Sequence, residues 1–65
     1  MKEYVKLVRA ILTKHDCTFV RHGKGDHDRW FSPINNHTVT VNRKIPSRYE
    51  ANEVLKQAGI TEKIR

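Results

Sequence analysis

Apolar residues near the start of the chain recur with the period of a helix. Tyr4, Leu7, Val8, Ile11 and Leu12 fall at i, i+3, i+4, i+7 and i+8, a single stripe. Lys2, Lys6 and Arg9 take the other side. Glu3 at the start, with Lys14 and His15 at the end, suits the helix macrodipole. The period then changes. Cys17 to His22 is rich in strand formers and runs into a polar turn, Gly23-Lys24-Gly25-Asp26. Asp28 to Ser32 is a second strand, with Trp30 and Phe31 on opposite faces. Pro33 to His37 supplies turn residues, and Thr38 to Val41 alternates polar with apolar as a half-buried strand does.

The last third returns to helix. Ser47 and Glu50 form an S-x-x-E capping box, and Ala51, Val54, Leu55 and Ala58 repeat at helical spacing. Gly59 suits the C′ position, with Ile60 as a hydrophobic lock behind it. The order is α-β-β-β-α, an α+β domain. Two amphipathic helices need one shared apolar surface, which one face of a three-stranded antiparallel sheet provides. The other sheet face is left open, and Thr61 to Arg65 is expected to fray.

Composition narrows the function. The chain has 65 residues, so it is one domain, 1–65, with a small core. A deep metabolite pocket or a dinucleotide fold is excluded, and a shallow surface site is favoured. Leu, Ile, Val and Phe make up sixteen residues, above the level typical of disorder, so the chain folds. The formal charge is +6, which points to an acidic partner: nucleic acid, an anionic membrane or an acidic protein. Cys17 is the only cysteine, so no disulfide staples the fold and a reducing cytoplasm fits. Apolar runs are far too short for a membrane span or a signal peptide.

Candidate chemistry concentrates in Arg21-His22-Gly23-Lys24-Gly25-Asp26-His27-Asp28-Arg29-Trp30. Gly23 and Gly25 let backbone amides approach an anion, and Lys24 lies between them. His27 follows the turn directly, and an imidazole is the natural proton shuttle near neutral pH. A solvated hairpin turn accounts for the same residues without any function. His22, Asp26, His27 and Asp28 are zinc-competent types, but their spacing across a turn matches no established metal motif. One of Trp30 and Phe31 faces away from the helices, as a base-stacking platform, as part of a protein interface or as mere cover for the sheet edge. The Lys2, Lys6 and Arg9 stripe contacts phosphate or is a solvated face. Cys17 reads as a small core hydrophobe.

Several of these segments together resemble the HicA toxin family. They are Lys24-Gly25-Asp26-His27, Trp30, Pro33, Val39-Thr40-Val41, Ile45-Pro46, and the run from Ala51 to Ile60. The resemblance covers nearly the whole chain, and members are similarly short, so a whole protein is expected. It implies a double-stranded-RNA-binding-domain-like α-β-β-β-α fold. It also implies a toxin of a type II toxin–antitoxin module that cleaves mRNA and is neutralised by a HicB antitoxin covering its active site. The family's Gly-Ser-His motif reads Gly25-Asp26-His27 here, so the catalytic role carries over to His27. Asp26 stands in place of the serine, where it either supports the imidazole or repels phosphate. At His15-Asp16-Cys17 the family often has a glycine.

The implied mechanism needs no metal and no cofactor, because the RNA 2′-hydroxyl is itself the nucleophile. His27 is the expected general acid or base. Arg21, Lys24, Arg29 and the turn amides near Gly25 are expected to bind RNA and to hold charge developing on phosphorus. His22 is a second proton-transfer group only if the strand brings it near. Expected partners are mRNA and a HicB-like antitoxin, with no membrane. The rival readings are a non-catalytic RNA-binding module of the same fold and a pure protein-interaction domain.

Overall fold

A computed structural model describes residues 3–65. Five elements follow one another: α1 (Val5–Lys14), β1 (Thr18–His22), β2 (His27–Ser32), β3 (His37–Asn42) and α2 (Arg48–Gln57). The strands form one antiparallel sheet in the order β1-β2-β3. Both helices cover the sheet face that carries Trp30, Val39 and Val41, and the opposite face is open. Val8, Ile11 and Leu12 from α1 meet Ala51, Leu55 and Ala58 from the C-terminal half over those three strand residues. Each large aliphatic side chain buried there contributes about 1.5–3 kcal/mol.

The first helix departs from the expected stripe at one position. Leu7 is 45% exposed, while Val5 packs against the core instead. Successive residues are about 100° apart around a helix, so Leu7 points well away from the direction of Val8. The helix start is capped by Glu3, whose Oε1 accepts from Val5 N at 3.2 Å and from Ile45 N at 2.7 Å. That one carboxylate joins α1 to the segment after β3. Lys2, expected on the outer face, lies outside the described residues.

Both helices end in the same hydrogen-bond pattern. After α2, Ile60 N donates to Leu55 O and Gly59 N to Lys56 O, each at 3.0 Å, with Gly59 at φ +78°. After α1, Cys17 N donates to Leu12 O at 2.9 Å and Asp16 N to Thr13 O at 3.0 Å. Asp16 holds the left-handed position there, at φ +66°. Aspartate is among the few residues that tolerate this region, so it closes the helix without a glycine. Gly59 is bound by space as well: a Cβ there would come within 3.0 Å of the Ile34 side chain.

Two expectations are corrected. The Ser47 hydroxyl accepts from Tyr49 N at 3.1 Å, one residue earlier than a capping box requires. With that bond in place, Ser47 caps α2 without Glu50. The segment after Ile60, expected to fray, is docked. Ile64 is only 8% exposed, and the Asn52 carboxamide holds its backbone from both sides. Glu62 is 3.2 Å from Lys14 Nζ and 3.3 Å from His15 Nε2. Fraying would expose Ile64 and release both anchors, so the tail stays down.

The turn between β2 and β3 completes the C-terminal end of α2. Ser32, fully buried, donates to Ala58 O at 2.6 Å, and Asn35 Nδ2 donates to Gln57 O at 3.0 Å. These bonds satisfy carbonyls that a helix leaves free at its end. No helix among the described residues is long and apolar enough to cross a membrane.

Candidate active site

The β1–β2 hairpin is built around a close backbone approach. Gly23 N donates to His27 O at 2.7 Å, and a Cβ on Gly23 would lie 3.1 Å from that oxygen. Gly25 turns the chain at φ +63° with open space beside it. Arg43 N then donates to Asp26 O at 2.7 Å, which pins the turn to the end of β3. The amides of Lys24 and Gly25 engage no acceptor among the described residues.

Register decides which side chains meet. Thr18 opposes Phe31 and Phe19 opposes Trp30, but Arg21 opposes Arg29 and His22 opposes Asp28. Val20 is therefore an extra residue, a β-bulge. Had Val20 taken a regular place in the ladder, simple alternation would put Arg21 on the helix side with Phe19, and His22 on the open face. The bulge exchanges them.

On the open face, Arg21, Gly23, Lys24, His27, Arg29 and Thr40 line a shallow cleft of about 450 Å³. The structure thus gathers four of the five residues singled out from the sequence: Arg21, Lys24, His27 and Arg29. Gly25 shapes the turn and is absent from the lining. Thr40 was missed, although it falls on the polar positions of the alternating third strand. It helps to fix Arg29, whose Nη1 donates to Thr40 Oγ1 and Nη2 to Thr38 Oγ1, both at 3.0 Å. The lining carries no carboxylate. Phe31 shares this face and is half-buried, while Trp30 is the ring that faces the helices.

His22 cannot join His27, because the bulge turns it to the other face. There its Nδ1 lies 2.8 Å from Asp28 Oδ1. Arg43 Nε donates to the same oxygen at 3.4 Å, and Arg9 Nη2 lies 3.9 Å from Oδ2. Arg43 Nη2 is also 2.9 Å from His22 Nδ1. An ionised carboxylate only accepts, so we assign the proton of the His22–Asp28 bond to Nδ1, and the Arg43 approach to that nitrogen is then not a hydrogen bond. The His22 hydrogen bond, with the Arg43 charge, holds the Asp28 carboxyl below its ordinary value, against the opposing effect of burial. Among the described residues, no three His, Cys, Asp or Glu side chains converge as metal ligands would.

The model of a family described as "HicA toxin of bacterial toxin-antitoxin" matches residues 5–60. No curated protein and no solved structure matches the chain. The match runs from the first residue of α1 to the hydrophobic lock after α2, and takes in the whole sheet and the cleft. On that span, the chain belongs to the HicA toxin family of bacterial toxin–antitoxin systems.

Proposed function

We propose that this chain is a metal-independent endoribonuclease that cleaves mRNA and is held inactive by a HicB-like antitoxin covering the cleft. The observation that carries the reading is the cleft lining. One imidazole, His27, stands among Arg21, Lys24 and Arg29 with no carboxylate in the lining. Such a surface attracts a phosphodiester and places a proton acceptor beside it.

In the proposed reaction, His27 takes the proton of the 2′-hydroxyl. The 2′-oxygen bonds to phosphorus and the bond to the 5′-oxygen breaks, leaving a 2′,3′-cyclic phosphate and a 5′-hydroxyl. The proton for the leaving oxygen comes from water or from Lys24, since His22 is on the other face. Arg29, held by two threonines, and Arg21 opposite it offer guanidinium donors to the charge on the phosphorane. General acid–base help from one group is typically worth about 10²–10⁴-fold, so a single histidine implies a slow enzyme.

The presence of only one imidazole in the cleft also favours a second reading, a module of the same fold that binds RNA without cutting it. One assay separates the two. Purified protein and His27→Ala are incubated with a long RNA in excess EDTA, and the products are examined for cyclic phosphate ends. Cleavage by the unaltered protein alone supports the ribonuclease. Intact RNA, bound with an affinity that falls steeply with salt, supports the binding module. Cleavage abolished by EDTA, or retained by His27→Ala, defeats the mechanism.

A further inference from the structure

Positive charge collects at a second place. Arg48, Lys63 and Arg65 line a groove together with Asn52, Thr61 and Ile64. None of these six side chains is acidic, and among the described residues none of the three cationic side chains forms an ion pair. Like charges gathered in excess repel one another, so the fold must hold them there. Asn52 does this: its Nδ2 donates to Ile64 O at 3.0 Å and its Oδ1 accepts from Ile64 N at 2.8 Å. Ile64 is buried, and its neighbours Lys63 and Arg65 are exposed.

Arg48 adds a second anomaly. It is the first residue of α2 after the cap Ser47, at the end of the helix where the macrodipole favours anions and opposes cations. Glu50, also in the first turn, is not part of the groove lining. Two electrostatic preferences are therefore violated at one spot. A bound anion reverses both, because it offsets the three cations and meets the positive end of the helix.

We propose that this groove is a second phosphate-binding site for the same RNA strand that enters the His27 cleft. The inference rests on the ribonuclease reading and extends it to a substrate held at two points. The cleft and the groove lie on opposite sides of the sheet, so the RNA strand passes round its β3 edge. Asn42 pairs with His27, and the six residues from there to Arg48 span at most about 22 Å even when extended. Arg43 and Lys44 lie on that connection, both exposed. An acidic protein is the poorer fit. Protein interfaces are built on aromatic and apolar cores, and the one apolar residue of this lining, Ile64, is already buried.

The test uses His27→Ala, which is expected to bind without cutting. Fluorescence anisotropy across a salt series measures its affinity for single-stranded RNAs of about four and about twenty nucleotides. Adding Arg48→Ala with Lys63→Ala is expected to weaken the long RNA about tenfold and to lower the salt slope by about 1.4, two phosphates' worth. The short RNA, which fills only the cleft, is unchanged. A second pair, Arg48→Gln with Lys63→Gln, retains most of each side-chain stem and guards against misfolding, which thermal melting monitors. Unchanged affinity and slope for the long RNA overturn the proposal. So does an equal loss for both lengths, or a loss confined to antitoxin binding. If the background binds neither RNA, the ribonuclease reading itself falls and takes this inference with it.

Discussion

Two histidines border the β1–β2 hairpin, five residues apart in sequence and on opposite faces of the sheet. His27 stands on the open face among cations, in a cleft whose lining holds no carboxylate. His22 stands on the other face, bonded to a buried aspartate that also gathers Arg43 and Arg9. Residue type is the same and the surroundings are opposite. Cations around His22 are spent on an internal anion, so that cluster ties α1, β1, β2 and the segment after β3 together. Cations around His27 are left for an external one. The comparison shows how a small domain keeps charge that is paired internally apart from charge that is left open, without a deep pocket: it puts them on two sides of one strand.

The largest expected difference between the two sites comes from removing each imidazole. His27→Ala should lower RNA cleavage by about 10²–10⁴-fold, the usual contribution of a general acid or base. His22→Ala should leave cleavage within a few-fold and lower the melting temperature instead. A gel assay beside a thermal melt reads both, and equal loss of cleavage in the two variants would erase the distinction.

Deleting Val20 tests the bulge itself. With the extra residue gone the ladder becomes regular, and Phe19, Arg21 and His22 should still oppose Trp30, Arg29 and Asp28. Cross-strand NMR contacts report the register, and cleavage is expected to stay within a few-fold. A shift of Arg21 to a place opposite Asp28, with cleavage lost, would show that Val20 is not the extra residue.

Arg29→Ala removes a preorganised donor from the cleft and should reduce kcat/KM about tenfold, the scale of one charge-assisted hydrogen bond. Thr40→Val, which frees one arm of the guanidinium, should have a smaller effect in the same direction. Asp28→Asn should have little effect on cleavage and should show itself in acid. The Asp28 carboxyl is depressed below its ordinary 3.8, so its stabilisation is present above that value and is lost as pH falls through the lower folded value. Melting temperatures of the unaltered protein should therefore drop more steeply below about pH 4 than those of Asp28→Asn. Parallel acid profiles would remove Asp28 from the account.

Much of the fold was legible because it rests on local rules. The second helix was bounded by Ser47 and Gly59, and its end matches the expected pattern atom for atom. The strands were placed to within a residue at each end. Leu7 and the tail were misread for different reasons. Leu7 sits at the margin of an apolar stripe, where a small rotation of the helix decides burial. Ile64 is one apolar residue without periodicity, and only the Asn52 bracket, twelve residues back, keeps it in place. In the site, the cluster of types from Arg21 to Arg29 was visible in the sequence. Which of them share a face was not, because a bulge at an ordinary valine leaves no compositional mark.

The α-β-β-β-α order, the basic character, the glycine turn and the histidine that follows it are all written locally along the chain. Periodicity, capping and turn chemistry act over a few residues, and these features need nothing more. That Arg21, Lys24, His27, Arg29 and Thr40 line one cleft while His22 is withdrawn to Asp28 comes from the packing of the folded chain. So does the placement of Lys63 and Arg65 beside Arg48. Strand register and the docking of a tail depend on partners distant along the chain. A shift of one residue in register moves every side chain beyond it to the other face.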